Sequence, residues 1–443
     1  MLIKTCLSVL LFLTLFLMPR KSVAQSETRP MTLQEEASFI DEELQKRLDS
    51  IVPSLMKREN IDLWIITARE YNEDPVIRTM LPATWFAARR RTILVFWQNG
   101  EIVERYAVAR YDIGQFFKKI WNPDEQPDQI QCLVDFINEK NPQKIALNFS
   151  DTYGQADGIT HSEYEAILNK LPNEYKTKLV SAERLAVGWL ETRTANEVKM
   201  MKKLARDGHS LIKAGFSANV VKPGVTTTED IQWWFREEIR RMGYQTWFQP
   251  TVSVQRAQAP EHEGDFSSKP KGEIVQKGDL LHVDIGVSFA RLHTDQQQHA
   301  YVLKDGETDV PQGLKDALKQ GNRLQDLLTV SFQTGRTGNE ILRITREKAL
   351  AEKLKPSVYT HPLGFYGHGA GPTIGMWDNQ GDTKGAGDYP LFENTGYSIE
   401  LNVTVLVPEW NKEIRIMLEE NAFFDGNKVS YYDGRQEKFI LID

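Results

Sequence analysis

Apolar and polar positions change rhythm along the chain. Residues 30 to 57 carry charged, helix-like patterning. Period-two alternation then takes over, which is the spacing of strands. The run NIDLWIIT from Asn60 to Thr67 predicts a strand. Thr92 to Trp97, then Gln98-Asn99-Gly100, then Glu101 to Ala107 predict a β-hairpin, because Asn-Gly supplies the positive φ angles of a tight turn. KIALNF, from Lys144 to Phe149, predicts another strand, with helical patterns between. The first half therefore reads as a small α/β domain. Its aromatic and Arg-rich stretch, Thr84 to Arg91, points to no particular chemistry and reads as a solvated face or an interface.

The chain divides near residue 185, and the second half opens with helices. Thr194-Ala195-Asn196-Glu197 forms a capping box for a helix to about Phe216. Thr226-Thr227-Thr228-Glu229 opens a second helix, stopped by Gly243, and Thr337-Gly338-Asn339-Glu340 opens a third. β-rich runs cover Leu280 to Phe289, Thr294 to Leu303, Tyr397 to Val407 and Ile414 to Phe424. No repeat of solenoid period and no low-complexity tract is present.

Composition narrows the classes. The 443 residues suit two domains, and 41% hydrophobic with 26% charged residues is an ordinary globular balance. The net charge of −7 and the lack of a basic face argue against nucleic acid as a partner. Met1 to Ala24 reads as a secretory signal, with Lys4 in the n-region, an apolar run from Cys6 to Met18, and Ser22-Val23-Ala24 at the cleavage positions. The mature chain would begin at Gln25, be exported to a periplasm or the exterior, and carry no membrane segment. Losing Lys4, Arg20 and Lys21 leaves 51 basic against 61 acidic residues, a charge of −10. Cys132 is then the only thiol, so no internal disulfide forms.

Acidic residues interrupt strands that should be apolar. Asp284 lies in LLHVDIG, Asp295 in HTDQ, Glu400 in YSIELNV and Glu419 in IMLEENAF. An unpaired buried carboxylate costs several kcal/mol, so four of them need a shared compensation, and bound cations are the natural one. His368 adds a nitrogen donor in a glycine-rich loop. Asp284 and Asp295 stand 11 residues apart, consistent with facing positions across a hairpin.

GDLLHVDIG, LHTDQQQHAYVL, YGHGAGPTIG, GYSIELNV and IRIMLEENAFF together resemble, in order, the five ligand motifs of the pita-bread metallopeptidases. That family includes aminopeptidase P, prolidase, methionine aminopeptidase and the metal-free relative creatinase. The resemblance implies an α+β fold: a signal peptide over 1–24, a smaller creatinase-type α/β domain over 25–180, and a pita-bread catalytic domain over 181–443. It implies two divalent ions, Mn first and Co, Zn or Fe as alternatives. Asp284 would chelate one ion, Asp295 and Glu419 would bridge both, and His368 and Glu400 would complete the other. Glu400 would also handle a proton. A hydroxide held between the ions would then hydrolyse small peptides at Xaa-Pro bonds. A homodimer is implied as well.

The chain departs from the family pattern in three places. The second histidine that usually follows the ligand histidine by seven residues would fall at Gly375. The usual histidine before the first ligand strand falls in the stretch 259–264, with its register open. An arginine that often precedes the last ligand by two residues is Met417, with Arg415 one strand repeat away. His361, seven residues before His368, is expected to take the missing histidine's catalytic place. The opposite register, with His361 as ligand, is the alternative; the Gly-His-Gly-x-Gly pattern favours His368. His282 and His293 share the ligand face by alternation and are candidates for supporting contacts. Trp377 and Tyr366 are candidates for a proline subsite or for the core. Other readings are a pita-bread hydrolase of another amide-like substrate and a non-catalytic exported binding protein.

Overall fold

The computed structural model describes residues 31–258 and 272–443. The expected signal segment and the 259–264 stretch lie outside the described residues. Side-chain caps open the helices where the sequence places them. Thr32 and Glu35 close a reciprocal capping box on helix Leu33–Glu59, which ends at Asn60 in the left-handed region. Thr194 and Glu197 do the same for helix Ala195–Gly215, and Thr337 and Glu340 for helix Gly338–Ala351. Helix Thr228–Arg241 is capped by Thr227 with Asp230 as the reciprocal partner. Two helices that the pattern left unnamed, Gln129–Lys140 and Gln312–Thr329, cover the faces of the two sheets.

The first half carries a six-stranded mixed sheet. Its order is Lys118–Lys119, Ile102–Val108, Arg91–Asn99, Leu63–Arg69, Ile145–Leu147, Leu179–Ser181. The hairpin forms between Arg91–Asn99 and Ile102–Val108, and Gly100 takes φ +62 at its turn. The second half carries a larger sheet. Its central path is Pro356–Val358, Thr395–Val407, Lys412–Phe424, Gln296–Val302, Leu280–Ile285, Thr251–Gln255. This is the mixed α+β, two-domain pita-bread layout. A buried apolar cluster runs continuously from the 33–59 helix and the first sheet into the 195–215 and 228–241 helices.

Polar contacts lock the halves together. Arg47 is 1% exposed, pairs with Glu197 at 2.9 Å, and lies between the rings of Trp189 and Phe365 at 4.4 and 4.6 Å. Arg291 reaches the carbonyls of Thr79 and Leu81 at 3.1 and 2.9 Å. Arg291 and Ala290 both take positive φ in the turn between Ser288–Phe289 and Leu292–His293. Among the described residues no helix is long and apolar enough to cross a membrane.

Candidate metal centre

Strand register builds the site. Glu400 pairs with Glu419 across Thr395–Val407 and Lys412–Phe424. Glu419 pairs in turn with Gln297, and Gln297 with Asp284. Residues directly opposite in neighbouring strands share a face, so Glu400, Glu419, Gln297 and Asp284 form one row. Asp295 stands two residues before Gln297 on that face. The cross-strand partner of Asp284 is thus Gln297 and not Asp295, because the extra two-strand ribbon 288–293 lengthens the connection.

A second row carries the histidine. His361 pairs with Ser398, two residues before Glu400. Its Nδ1 lies 3.0 Å from the carbonyl of Pro362, which can only accept, so Nδ1 carries the hydrogen, and in the neutral ring Nε2 keeps a lone pair. That Nε2 sits 3.6 Å from Glu419 Oε1, 3.8 Å from Asp295 Oδ2 and 4.0 Å from Glu400 Oε2. These separations are too long for hydrogen bonds. His361 Nε2 and Asp295 Oδ1 are buried and without a hydrogen-bond partner. A lone pair facing three carboxylate oxygens across such gaps is a donor set that a divalent cation satisfies. Ligand atoms group as His361, Glu400 and Glu419, as Asp284, Asp295 and Glu419, and as Asp295, His361 and His368.

Electrostatics agree with that need. Burial, then the charges of Glu419, Asp284 and Glu400, push the Asp295 carboxyl well above its ordinary range. Ser398 donates to Glu419 Oε1 at 2.6 Å, and Asn421 holds the Asp295 backbone N–H at 2.9 Å. The carboxylates open into a cavity of about 300 Å3 walled by Trp247, Phe248, Tyr359, Trp377 and Met417.

The two histidines stand in different settings, both within reach of Asp295. His361 is 4% exposed and lies behind the carboxylates, whereas His368 is exposed and lines the cavity. Only His361 groups with both Glu400 and Glu419. Its short strand, His361–Pro362, is what aims it there. The rings stand 4.8 Å apart, and burial followed by the nearby His361 lowers the His368 pKa to about 4. Counting seven residues from His361 reaches His368. Gly375 marks no loss: at φ +74, a Cβ there would lie 2.2 Å from the Val358 carbonyl.

The other candidates divide. His282 Nε2 meets Gln297 Oε1 at 2.9 Å, beside the carboxylates. His293 instead turns its Nδ1 to the Gly364 carbonyl at 3.3 Å. Trp377 lines the cavity, but Tyr366 donates to the Pro75 carbonyl at 2.9 Å and serves the contact between halves. Sequence reasoning missed Gln297, Trp247 and Tyr359. Alternation from Asp295 could have found Gln297; the two aromatics come from loops with no periodic signal.

Residues 199–421 match metallopeptidase family M24. The chain belongs to that family. Solved structures of other peptidases share the fold over nearly their whole length. An X-Pro aminopeptidase from Thermotoga maritima MSB8 is 17% identical with a TM-score of 0.61, covering 87% of this chain and 99% of its own. An Xaa-Pro dipeptidase from Bacillus anthracis is 15% identical with a TM-score of 0.62, covering 90% and 99%. Dipeptidase PepE from Mycobacterium ulcerans is 16% identical with a TM-score of 0.58, covering 90% and 97%. No curated protein sequence matches the chain. As an M24 member it is a metal-dependent peptidase, and the carboxylate and histidine cluster is its candidate metal site.

Proposed function

We propose that this M24 enzyme is an exported peptidase that hydrolyses small peptides at Xaa-Pro bonds with two divalent ions. Asp284, Asp295 and Glu419 would hold one ion, and Asp295, His361, Glu400 and Glu419 the other. Ions held by these residues would supply activation of water and polarisation of the scissile carbonyl. Glu400 handles the proton, and His368, neutral at working pH, faces the substrate from the cavity wall. The observation that carries this reading is the His361 Nε2 lone pair set against three carboxylate oxygens at 3.6 to 4.0 Å. The grouping of donors into two sets that share Glu419 supports two ions. The aromatic wall supports a ring such as proline. Manganese is the first choice for a site of four carboxylates and one histidine, with Co, Zn and Fe as alternatives. Export rests on the sequence of Met1 to Ala24, and a homodimer on the resemblance. The non-catalytic reading leaned on Gly375 and loses its reason once His368 takes the second place.

The test is hydrolysis by the Gln25 to Asp443 chain of Xaa-Pro dipeptides, Xaa-Pro-Xaa tripeptides and matched peptides without proline. Mn, Co and Zn are added in turn, with a chelated control and His361→Ala. Turnover confined to proline peptides and lost in both controls is expected. Turnover that survives chelation, or that ignores proline, overturns the reading. The ratio of tripeptide to dipeptide turnover reports how the Met417 wall treats a free carboxylate.

A further inference from the structure

The row across the sheet contains one member that is not an acid. Gln297 stands between Glu419 and Asp284, and is 6% exposed. Its Nε2 donates to Glu400 Oε1 at 2.8 Å and to Glu419 Oε2 at 2.6 Å. An amide nitrogen carries two hydrogens, one for each carboxylate. The reverse orientation would turn the amide oxygen onto two carboxylates and is excluded by repulsion. That leaves Oε1 facing His282 Nε2 at 2.9 Å; an amide oxygen only accepts, so Nε2 donates, and this contact of a histidine 2% exposed holds the amide in place. The contact runs His282, Gln297, then both glutamates.

Glu400 and Glu419 are direct cross-strand partners, and like charges so placed repel. A buried neutral donor that bonds both holds them together without adding charge. A carboxylate at this position would make a fifth acid, and a hydroxyl has one hydrogen to share between two acceptors. The donation also has a side. Glu400 and Glu419 both belong to the group with His361, whereas the group with Asp284 and Asp295 contains only Glu419.

We infer that Gln297, oriented by His282, is a positioning residue that preforms the His361–Glu400–Glu419 cation subsite and sets its affinity apart from the Asp284–Asp295–Glu419 subsite. The inference rests on the metal reading above. It concerns how tightly one of the two subsites is held, not whether ions bind.

Mn2+ titration of the metal-free protein, followed by the EPR signal of the free ion and by calorimetry, tests it. Gln297→Met keeps the length and removes the donor. Gln297→Asn keeps the amide but withdraws it by one methylene, and serves if the methionine variant does not fold. His282→Phe removes the orienting contact, and His282→Gln restores a side-chain N–H. Contacts that orient metal ligands are worth about 10- to 100-fold in affinity. Either Gln297 variant is expected to weaken one of two Mn2+ sites by that factor and the other by less than about threefold. His282→Phe should shift the same site by less, and His282→Gln should recover part of it. His282→Phe added to Gln297→Met should cost nothing further, which a merely structural role would not give. Two sites within about threefold of wild type in the Gln297 variants, or two sites weakened equally, overturn the inference while leaving the metal reading intact. A wild-type protein that takes up no Mn2+ overturns the metal reading and this inference with it.

Discussion

Alternation along Lys412–Phe424 turns Glu419 into the cavity and Glu420 to the opposite face. Glu420 is 1% exposed and meets His209 of the 195–215 helix, with Nε2 to Oε2 at 2.6 Å. His209 Nδ1 meets Asp433 at 2.9 Å. Burial pulls the His209 pKa down, but the hydrogen bonds and charges of Glu420 and Asp433 outweigh it and push the value up to about 9, from an ordinary 6.5. A histidine raised in the folded state stabilises fully below its unfolded pKa and loses that stabilisation as pH rises through the folded one. A shift from 6.5 to about 9 corresponds to about 3 kcal/mol at pH 6 and below. About 2 kcal/mol of it remains at pH 7.5, about 1 at pH 8.5, and almost none at pH 10. The perturbation is His209→Gln, read by urea unfolding of the metal-free protein at unit steps from pH 6 to 10. The difference between wild type and variant cancels the lysines and tyrosines that titrate in both. That difference should shrink by about 3 kcal/mol across the range, most steeply between pH 7 and 9. A difference that stays flat with pH refutes the charged His209 and its pairing with Glu420.

Three further outcomes are expected. His361→Ala should abolish binding of at least one divalent ion, whereas His368→Ala should keep both ions in a calorimetric titration and lower kcat by about 10²- to 10⁴-fold; metal loss in His368→Ala instead would restore the ligand role to that residue. Burial pushes the Glu191 carboxyl up to about 8, against partial relief from Arg58 and the Tyr389 hydroxyl at 3.2 Å. A raised carboxyl favours the folded state at low pH, so stability should fall as pH climbs from about 4.5 to 8, and Glu191→Gln should remove that slope and melt higher at pH 8.5. Arg47→Met should cost about 3 kcal/mol by leaving Glu197 buried with no cation nearer than Arg193 at 3.6 Å beside its cap bond to the Thr194 N–H, and Glu197→Gln in the same chain should recover part of it in denaturant melts.

The carboxylates were legible because a charged residue inside an apolar strand is a local anomaly that needs a local cause. Asp284, Asp295, Glu400 and Glu419 each stand out that way, and register then gathers them. The histidine was not legible by the same means. His361 and His368 lie seven residues apart in a stretch rich in glycine, and both look like loop donors. What separates them is a two-residue strand, His361–Pro362, whose partner Ser398 is far away in sequence. No window of the chain contains that pairing. Gly367 belongs to the Gly-His-Gly-x-Gly pattern that favoured His368, and in the structure a Cβ there would strike the Trp247 ring at 2.2 Å, so the glycine serves the packing of the cavity wall. Capping boxes and the hairpin turn depend on neighbours within four residues, so the boxes at Thr194 and Thr337 fall where the sequence places them; the box of the 228–241 helix falls one residue later, at Thr227 and Asp230, and the hairpin loop is Gly100-Glu101, with Asn99 still paired in the ladder. Helix Gln312–Thr329 went unnamed because its N-cap is Pro311, with no side-chain signal.

The first half also reaches the site, through the loop that carries His368. Gln155 donates to the His368 carbonyl at 2.9 Å, Tyr153 to the Gly371 carbonyl at 2.9 Å, and Tyr366 to the Pro75 carbonyl at 2.9 Å. These three contacts hold residues 366–371 against the amino-terminal half. His361 needs none of them, since the sheet already fixes it through Ser398. The two histidines therefore depend on different parts of the molecule. The buried one is set by its pairing in the large sheet and stands with the carboxylates. The exposed one is set by the docking of one domain on the other and belongs to the wall a substrate would touch. On the proposed reading, such a site would couple its substrate-facing group more closely than its carboxylate cradle to the amino-terminal domain, and would give that domain a physical part in turnover.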